Sequence, residues 1–348
     1  MNRRPGLFTV VIAIALLGAA GAQATPIILN PGAGLAASPG ALAAFTRAAN
    51  AWGALFTDPI EVHINADLQN MGSPVILGST SSVFLAGSYS LIRDQMVADG
   101  LLEPDDAIVG STPTDAEFNA IVPAGYGLNG EMAGTKANLK AMGFEGLDVA
   151  FGADDADIVF NSEFSFDFDN SNGVGAGLYD FETIAVHEIG HVLGFVSVVD
   201  DIDWNIGTGG DPFDSYIYPL DLFRFPASGI PTTAFEFTNN PRSLMPGWES
   251  VFSDLDNVWP FSTGYYTGDG RQASHWKDDI LTGLYIGNMD PTLASGVARP
   301  LTFADLRALD VIGWDIVPET EPVPEPGSMI LLGTGLVGLG RAWRKRRG

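Results

Sequence analysis

With 348 residues, 46 % of them hydrophobic, the chain has enough apolar surface for one large domain or two smaller ones and is not a disordered protein. Its 42 acidic residues outweigh 17 basic ones for a formal charge of -25, which disfavours nucleic acid as a partner and fits solubility, calcium sites or a saline habitat. There is no cysteine, so disulfides and thiolate chemistry are excluded and any transition metal must be held by histidine and carboxylate.

The chain opens with Arg3 and Arg4, runs through an apolar stretch from Leu7 to Ala20 and reaches Ala22-Gln23-Ala24. This order predicts a secretory signal over residues 1–24, with the mature chain beginning near Thr25. The apolar stretch is shorter than the roughly 20 residues of a membrane-spanning helix.

Residues 41–56 then place Ala44, Phe45, Ala48, Ala51, Trp52, Leu55 and Phe56 at three- and four-residue steps, the pattern of a helix that packs through an aromatic face. From Ile60 to Leu68, apolar residues alternate with Glu61, His63, Asn65 and Asp67, which predicts a half-buried strand with His63 on its solvated face. Helices are expected at Tyr89–Ala98 and Asn129–Met142 and a strand at Asp157–Ser162, so the amino-terminal half reads as α/β or α+β. The stretch from Asp167 to Gly175 is rich in side-chain oxygens that could hold Ca2+. The helix-loop-helix calcium motif, however, wants glycine where Asn172 stands and glutamate where Leu178 stands, so a plain turn is the default.

The densest chemistry follows. Asp180 suits a helix cap, Glu182 lies in the first turn, and Gly194 sits where the helix would end. His187 and His191 fall four residues apart on one helix face and can share one Zn2+. Glu188 stands beside them, placed to take a proton from a metal-activated water. With 4 histidines in the chain, composition alone yields this pattern roughly 0.002 times per chain, so coincidence explains it poorly. Gly190, inside the same helix, costs about 1 kcal/mol relative to alanine; close approach of another backbone or of a substrate strand would account for it.

From Val196 to about residue 270 periodicity fades, and the stretch reads as a long, structured insertion. Beyond it stand Ser274-His275-Trp276 and Asn288-Met289-Asp290-Pro291. Thr302 and Asp305 can cap a closing helix whose Leu306, Leu309 and Ile312 face the core. An acidic, proline-rich linker from Pro318 to Pro326 leads to an apolar run, Met329 to Gly340, and a basic end with Arg341, Arg344, Lys345, Arg346 and Arg347. Physically this is a stop-transfer design.

Two resemblances follow from these residues. The Pro324-Glu325-Pro326, apolar, Arg-rich tail resembles the PEP-CTERM sorting signal of Gram-negative bacteria. It implies export, transient membrane association, an exosortase-type sorting enzyme as partner, and a final place at the cell surface or in the extracellular matrix. The stretch His187 to Phe195 resembles the metzincin zinc proteases, which turn at the glycine and carry a third histidine three residues later, where this chain has Ser197. The overall layout is most similar to leishmanolysin-type relatives, in which a long insertion precedes a His-Trp third ligand. That resemblance implies an α+β catalytic domain over residues 25–318 with a twisted mixed sheet. It also implies His275 as third zinc ligand and Met289 in the methionine turn beneath the metal.

The expected activity is hydrolysis of a peptide or protein substrate, with Glu188 as general base. Tyr265, Tyr266 or Tyr285 is a candidate to steady the oxyanion. Asp200, Asp201, Asp203 and Asp211 are alternative oxygen ligands, Asp200 or Asp201 first among them, no glutamate lying between Glu188 and Glu236. Two other functions share this sequence pattern: a matrix or adhesion module that keeps zinc for stability, and a zinc hydrolase acting on another ester or amide.

Overall fold

Strand β1 (Ile27–Pro31) is followed by helix α1 (Pro39–Gly53), strand β2 (Val62–Gln69) and strand β3 (Gly78–Ser82) in a computed structural model that describes residues 24–103 and 106–317. The expected leader up to Gln23, the proline-rich linker and the sorting tail lie outside the described residues. With β4 (Ala156–Asn161) these strands form a mixed sheet ordered β1-β2-β4-β3, parallel except for β3, which runs antiparallel to β4 along the edge. Alternation drives the layering: Val62, Ile64, Ala66, Ile158 and Phe160 are buried on one face, while Asn65 and Asp157 point away from it. The half-buried His63 rests against Glu61, 3.1 Å away, on the outer face expected of it.

Helix α1 and the helix α2 (Phe181–Val192) pack on the apolar face. Trp52 binds the two helices by donating its indole N–H to the Val186 carbonyl at 2.9 Å. Phe45, Phe160 and Phe181 fill the space between helices and sheet.

The expected helix Asn129–Met142 divides in the structure. Gly127–Thr135 is a strand, paired with Phe84–Ser88 on one side and Asp214–Ile217 on the other, and only Lys136–Ala141 is helical. Thr135 caps that helix by accepting the Asn138 N–H at 3.2 Å. Gly127, Gly130 and Gly134 weaken the helical alternative, and ladders on both edges outweigh what local propensity remains.

Past α2, the insertion holds a helix α3 (Val199–Thr208) and a small antiparallel sheet built from Arg224–Pro226, Ser250–Ser253 and Val258–Phe261. The closing helix α4 (Phe303–Asp310) has the expected Thr302–Asp305 capping box and buries Leu309, with Ile312 just beyond it.

Candidate metal centre

Helix α2 begins where Asp180 accepts the Thr183 N–H at 3.0 Å. Its apolar side buries Ile184, Ala185 and Ile189 completely or nearly so, turning His187 and His191 toward the segment that carries His275. The helix stops at Gly194, whose φ of +116° is open to glycine and strained for other residues. This turn sends the Phe195 carbonyl back to His191, which donates Nδ1–H to it at 2.8 Å.

All three imidazoles are anchored alike. His187 Nδ1 lies 2.8 Å from the Asn288 carbonyl and His275 Nδ1 lies 3.2 Å from the Gln272 carbonyl. Carbonyl oxygens only accept, so each Nδ1 carries the proton and each neutral ring presents a bare Nε2. Those nitrogens converge: His275 Nε2 stands 3.1 Å from His187 Nε2 and 3.3 Å from His191 Nε2. Three lone pairs facing one point with no proton between them repel one another and suit a cation. Burial reinforces neutrality, holding His187 and His275 below the usual imidazole range and pushing His191 down to about 3, with its histidine neighbour adding to the effect.

Glu188, the residue after His187 on α2, is buried. Thr80, on the edge strand β3, donates its hydroxyl to Glu188 Oε2 at 2.7 Å, and a side chain at Gly78 would stand 2.8 Å from Oε1. Burial pushes the Glu188 carboxyl up to about 7, against the opposing Thr80 hydrogen bond.

His275 reaches the cluster from far along the sequence because its segment is held on every side. Asp200 accepts the N–H groups of Ala273 and Ser274 and the Ser274 hydroxyl. Arg224 donates to the Ala273 carbonyl at 3.1 Å, and Ser262 donates its N–H to the His275 carbonyl at 2.9 Å. Trp276 is buried, stacked on Phe261 and edge-on to Phe195. Its N–H donates to the Met289 carbonyl at 2.9 Å, joining the His-Trp segment to the methionine turn.

One buried carboxylate that sequence reasoning assigned only to capping organises that turn. Asp305 accepts the N–H of Asn288 at 2.7 Å, of Met289 at 3.1 Å and of Thr302 at 2.9 Å, and the Trp276 indole at 2.9 Å. The capping box was the only sequence signal for it. Met289 itself is buried against Gly190 of α2, so a thioether, rather than a backbone or a substrate strand, fills the space that this glycine leaves.

The alternative ligands are used elsewhere. Asp200 is taken up by the Ala273–Ser274 segment, Asp201 accepts from the hydroxyls of Tyr216 and Tyr218, and Asp203 accepts from the backbone of Tyr266 and Thr267. Ser197 donates its hydroxyl to Asp221 at 2.7 Å. Among the oxyanion candidates, the Tyr285 hydroxyl is given to the Pro300 carbonyl at 2.7 Å, and Tyr265 and Tyr266 are exposed on the insertion. In the oxygen-rich loop, Asp167 accepts from Asp169 and Gly175 and Asp169 accepts from Ser171, which is turn chemistry. Among the described residues, a second group of potential ligands comprises Asp278, Asp279 and Asp290. Arg271, Arg299 and backbone N–H groups already occupy these carboxylates.

Residues 322–347 match the PEP-CTERM protein-sorting motif. The motif implies export, recognition by an exosortase-type sorting enzyme, and a surface or extracellular location in a Gram-negative bacterium. No helix among the described residues is long and apolar enough to cross a membrane. No curated protein and no solved structure matches the chain.

Proposed function

We propose that the chain is an exported zinc-dependent endopeptidase built on a metzincin-type domain. The reading is carried by one observation: three Nδ1-anchored imidazoles, two of them on the helix that also carries the buried Glu188, direct their bare Nε2 atoms at a common point. Nitrogens bound at about 2.0–2.1 Å around a tetrahedral zinc ion stand roughly 3.3 Å apart, close to the 3.1 and 3.3 Å separations here. Zinc held by these nitrogens supplies Lewis acidity, polarising a substrate carbonyl and acidifying a water molecule.

The chain's own groups do the rest. Thr80 occupies Glu188 Oε2, which leaves Oε1 to accept the proton of the attacking water and hand it to the departing amine. A carboxyl pushed up to about 7 is suited to both transfers near neutral pH. Among the described residues strand β3 is the edge strand of its sheet, and its Thr80 side chain meets Glu188, so an extended peptide that adds to this edge would run past the helix that carries the histidines. An extended protein segment is therefore favoured as substrate over a compact small ester.

The test uses the secreted, purified protein on a denatured protein substrate, with elemental analysis alongside. Cleavage that a chelator abolishes and zinc restores, and that Glu188→Ala loses while retaining zinc, supports the endopeptidase. Zinc retained with no cleavage over a broad range of substrates and pH would turn the reading to a zinc-stabilised binding module.

A further inference from the structure

The two ends of the described domain meet at Asp58, one at its carboxylate and the other at its main-chain carbonyl. Asp315 donates its N–H to Asp58 at 3.2 Å, Thr57 donates its N–H to the Asp315 carbonyl at 2.8 Å, and Phe56 bridges to Ile316. On the other side, the buried Thr25 donates its hydroxyl to the Asp58 carbonyl at 2.9 Å. Gly53 lets the chain dock there, since a Cβ on it would stand 2.5 Å from the Thr25 carbonyl oxygen.

Two features of this junction are left incomplete by an amide at Thr25. Its single N–H is shared by two carbonyls, Gly53 at 3.0 Å and Phe56 at 3.2 Å. Asp58, 2 % exposed, has one carboxylate oxygen without a hydrogen-bond partner among the described residues, and the charged groups acting on it most strongly, Asp315 and Asp99, are themselves acidic. Burial and Asp315 push the Asp58 carboxyl up to about 8, and burial and the same aspartate push Asp99 up to about 7. A buried acidic group of this kind calls for a cation with several donors.

We propose that removal of the leader after Ala24 creates an α-ammonium at Thr25 that donates to the Gly53 and Phe56 carbonyls and pairs with Asp58, so that processing itself locks the two ends of the domain together. Three ammonium hydrogens match two carbonyls and one carboxylate, where the amide had one hydrogen to offer. The lock bears on the site helix through aromatic contacts. Phe56 packs on Trp52 and Trp314, which donate their indoles to the Val186 and Leu193 carbonyls of α2 and its end.

The inference depends on cleavage at Ala24 and not on catalysis, and the two are separable by experiment. N-terminal sequencing of the secreted protein should read Thr25 first; another start overturns the proposal at its first step. The Thr25-initiated protein should melt about 5–10 °C above the same chain with Ala24 retained, because Ala24 is exposed and carries the charge away from Asp58. Asp58→Asn in both forms should erase that difference. Equal melting points, or a gap that survives Asp58→Asn, would overturn the pairing. Should Asp58→Asn not fold, cyanate supplies the readout on the wild type: the Thr25 amine should be carbamylated at least about tenfold more slowly at neutral pH than the Ala24 amine, and equal rates reject the lock.

Discussion

The sulfur of Met289 lies so close to Gly190 that a β-carbon on that glycine would stand 2.3 Å from it. Two opposing effects therefore meet in Gly190→Ala. Alanine favours the helix by about 1 kcal/mol, whereas overpacking a filled core costs about 1–3 kcal/mol. The contact is well inside van der Waals range and Met289 is wholly buried, so the clash should win and the variant should lose stability in urea. Met289→Ala on its own should lose about 2–4 kcal/mol to the cavity it leaves. The double variant should lose less than the two single losses combined. A Gly190→Ala protein more stable than wild type would show that the thioether does not pack there.

Asp305 links the closing helix to the turn that anchors His187. Asp305→Ala leaves the N–H groups of Asn288, Met289 and Thr302 and the Trp276 indole without their acceptor. At about 1–3 kcal/mol for each buried orphan, and with some relaxation, a loss of about 3–5 kcal/mol is expected. Because the Asn288 carbonyl anchors His187, zinc affinity should also fall about 10–100-fold. Denaturant titration and competition with a zinc chelator measure the two separately. Wild-type zinc affinity in a folded Asp305→Asn protein would show that the turn holds His187 without this carboxylate.

How much of this was readable beforehand follows from the range of each interaction. The site helix announces itself because its determinants are local: an aspartate cap, two histidines one turn apart and a glycine that ends the helix all lie between residues 180 and 194. The sequence predicts a helix over Asn129–Met142, whereas Gly127–Thr135 is a strand whose pairing partners lie about 40 residues before and 80 after it, beyond any periodic pattern. His275 could be singled out only by resemblance, since what holds it is a set of contacts from Asp200, Arg224, Ser262 and Met289 that spacing does not encode. Asp305 was visible as a cap and invisible as the acceptor for the methionine turn. The same sequence feature served two ends, and only the local one leaves a signature.

Asp200 and His275 can be told apart as support and donor. His275→Ala removes one of three nitrogens and should lower zinc affinity at least about 100-fold, whereas Asp200→Asn loosens the Ala273–Ser274 segment and should lower it about 10-fold. Asp201→Asn, which alters only contacts with Tyr216 and Tyr218, should leave zinc binding unchanged. The ordering of the three affinities is the measurement. An Asp200→Asn loss as large as that of His275→Ala would make Asp200 a direct ligand.

Acid should destabilise the metal-free protein in a way that reports on the three imidazoles. Unfolded histidines take up protons near pH 6.5, while burial in the fold holds His187 and His275 below that value and His191 near 3. Below pH 6.5 the unfolded chain therefore binds more protons than the folded one, and stability falls as pH drops, by up to about 1.4 kcal/mol per pH unit for each histidine. Above pH 6.5 the rings are neutral in both states and their contribution is constant. Glu188 acts with the opposite sign: raised to about 7 by burial, it protonates first in the folded protein and offsets about one of the three protons between roughly pH 4.5 and 7. Unfolding the metal-free chain near pH 5.5 should thus take up protons at this site, the deeply lowered His191 among them. His187→Gln should reduce that uptake, flattening the pH dependence of the denaturation midpoint between pH 5 and 6.5. An unchanged slope in the variant would mean that His187 titrates alike in both states, and the case for a neutral, inward-facing triad would fail with it.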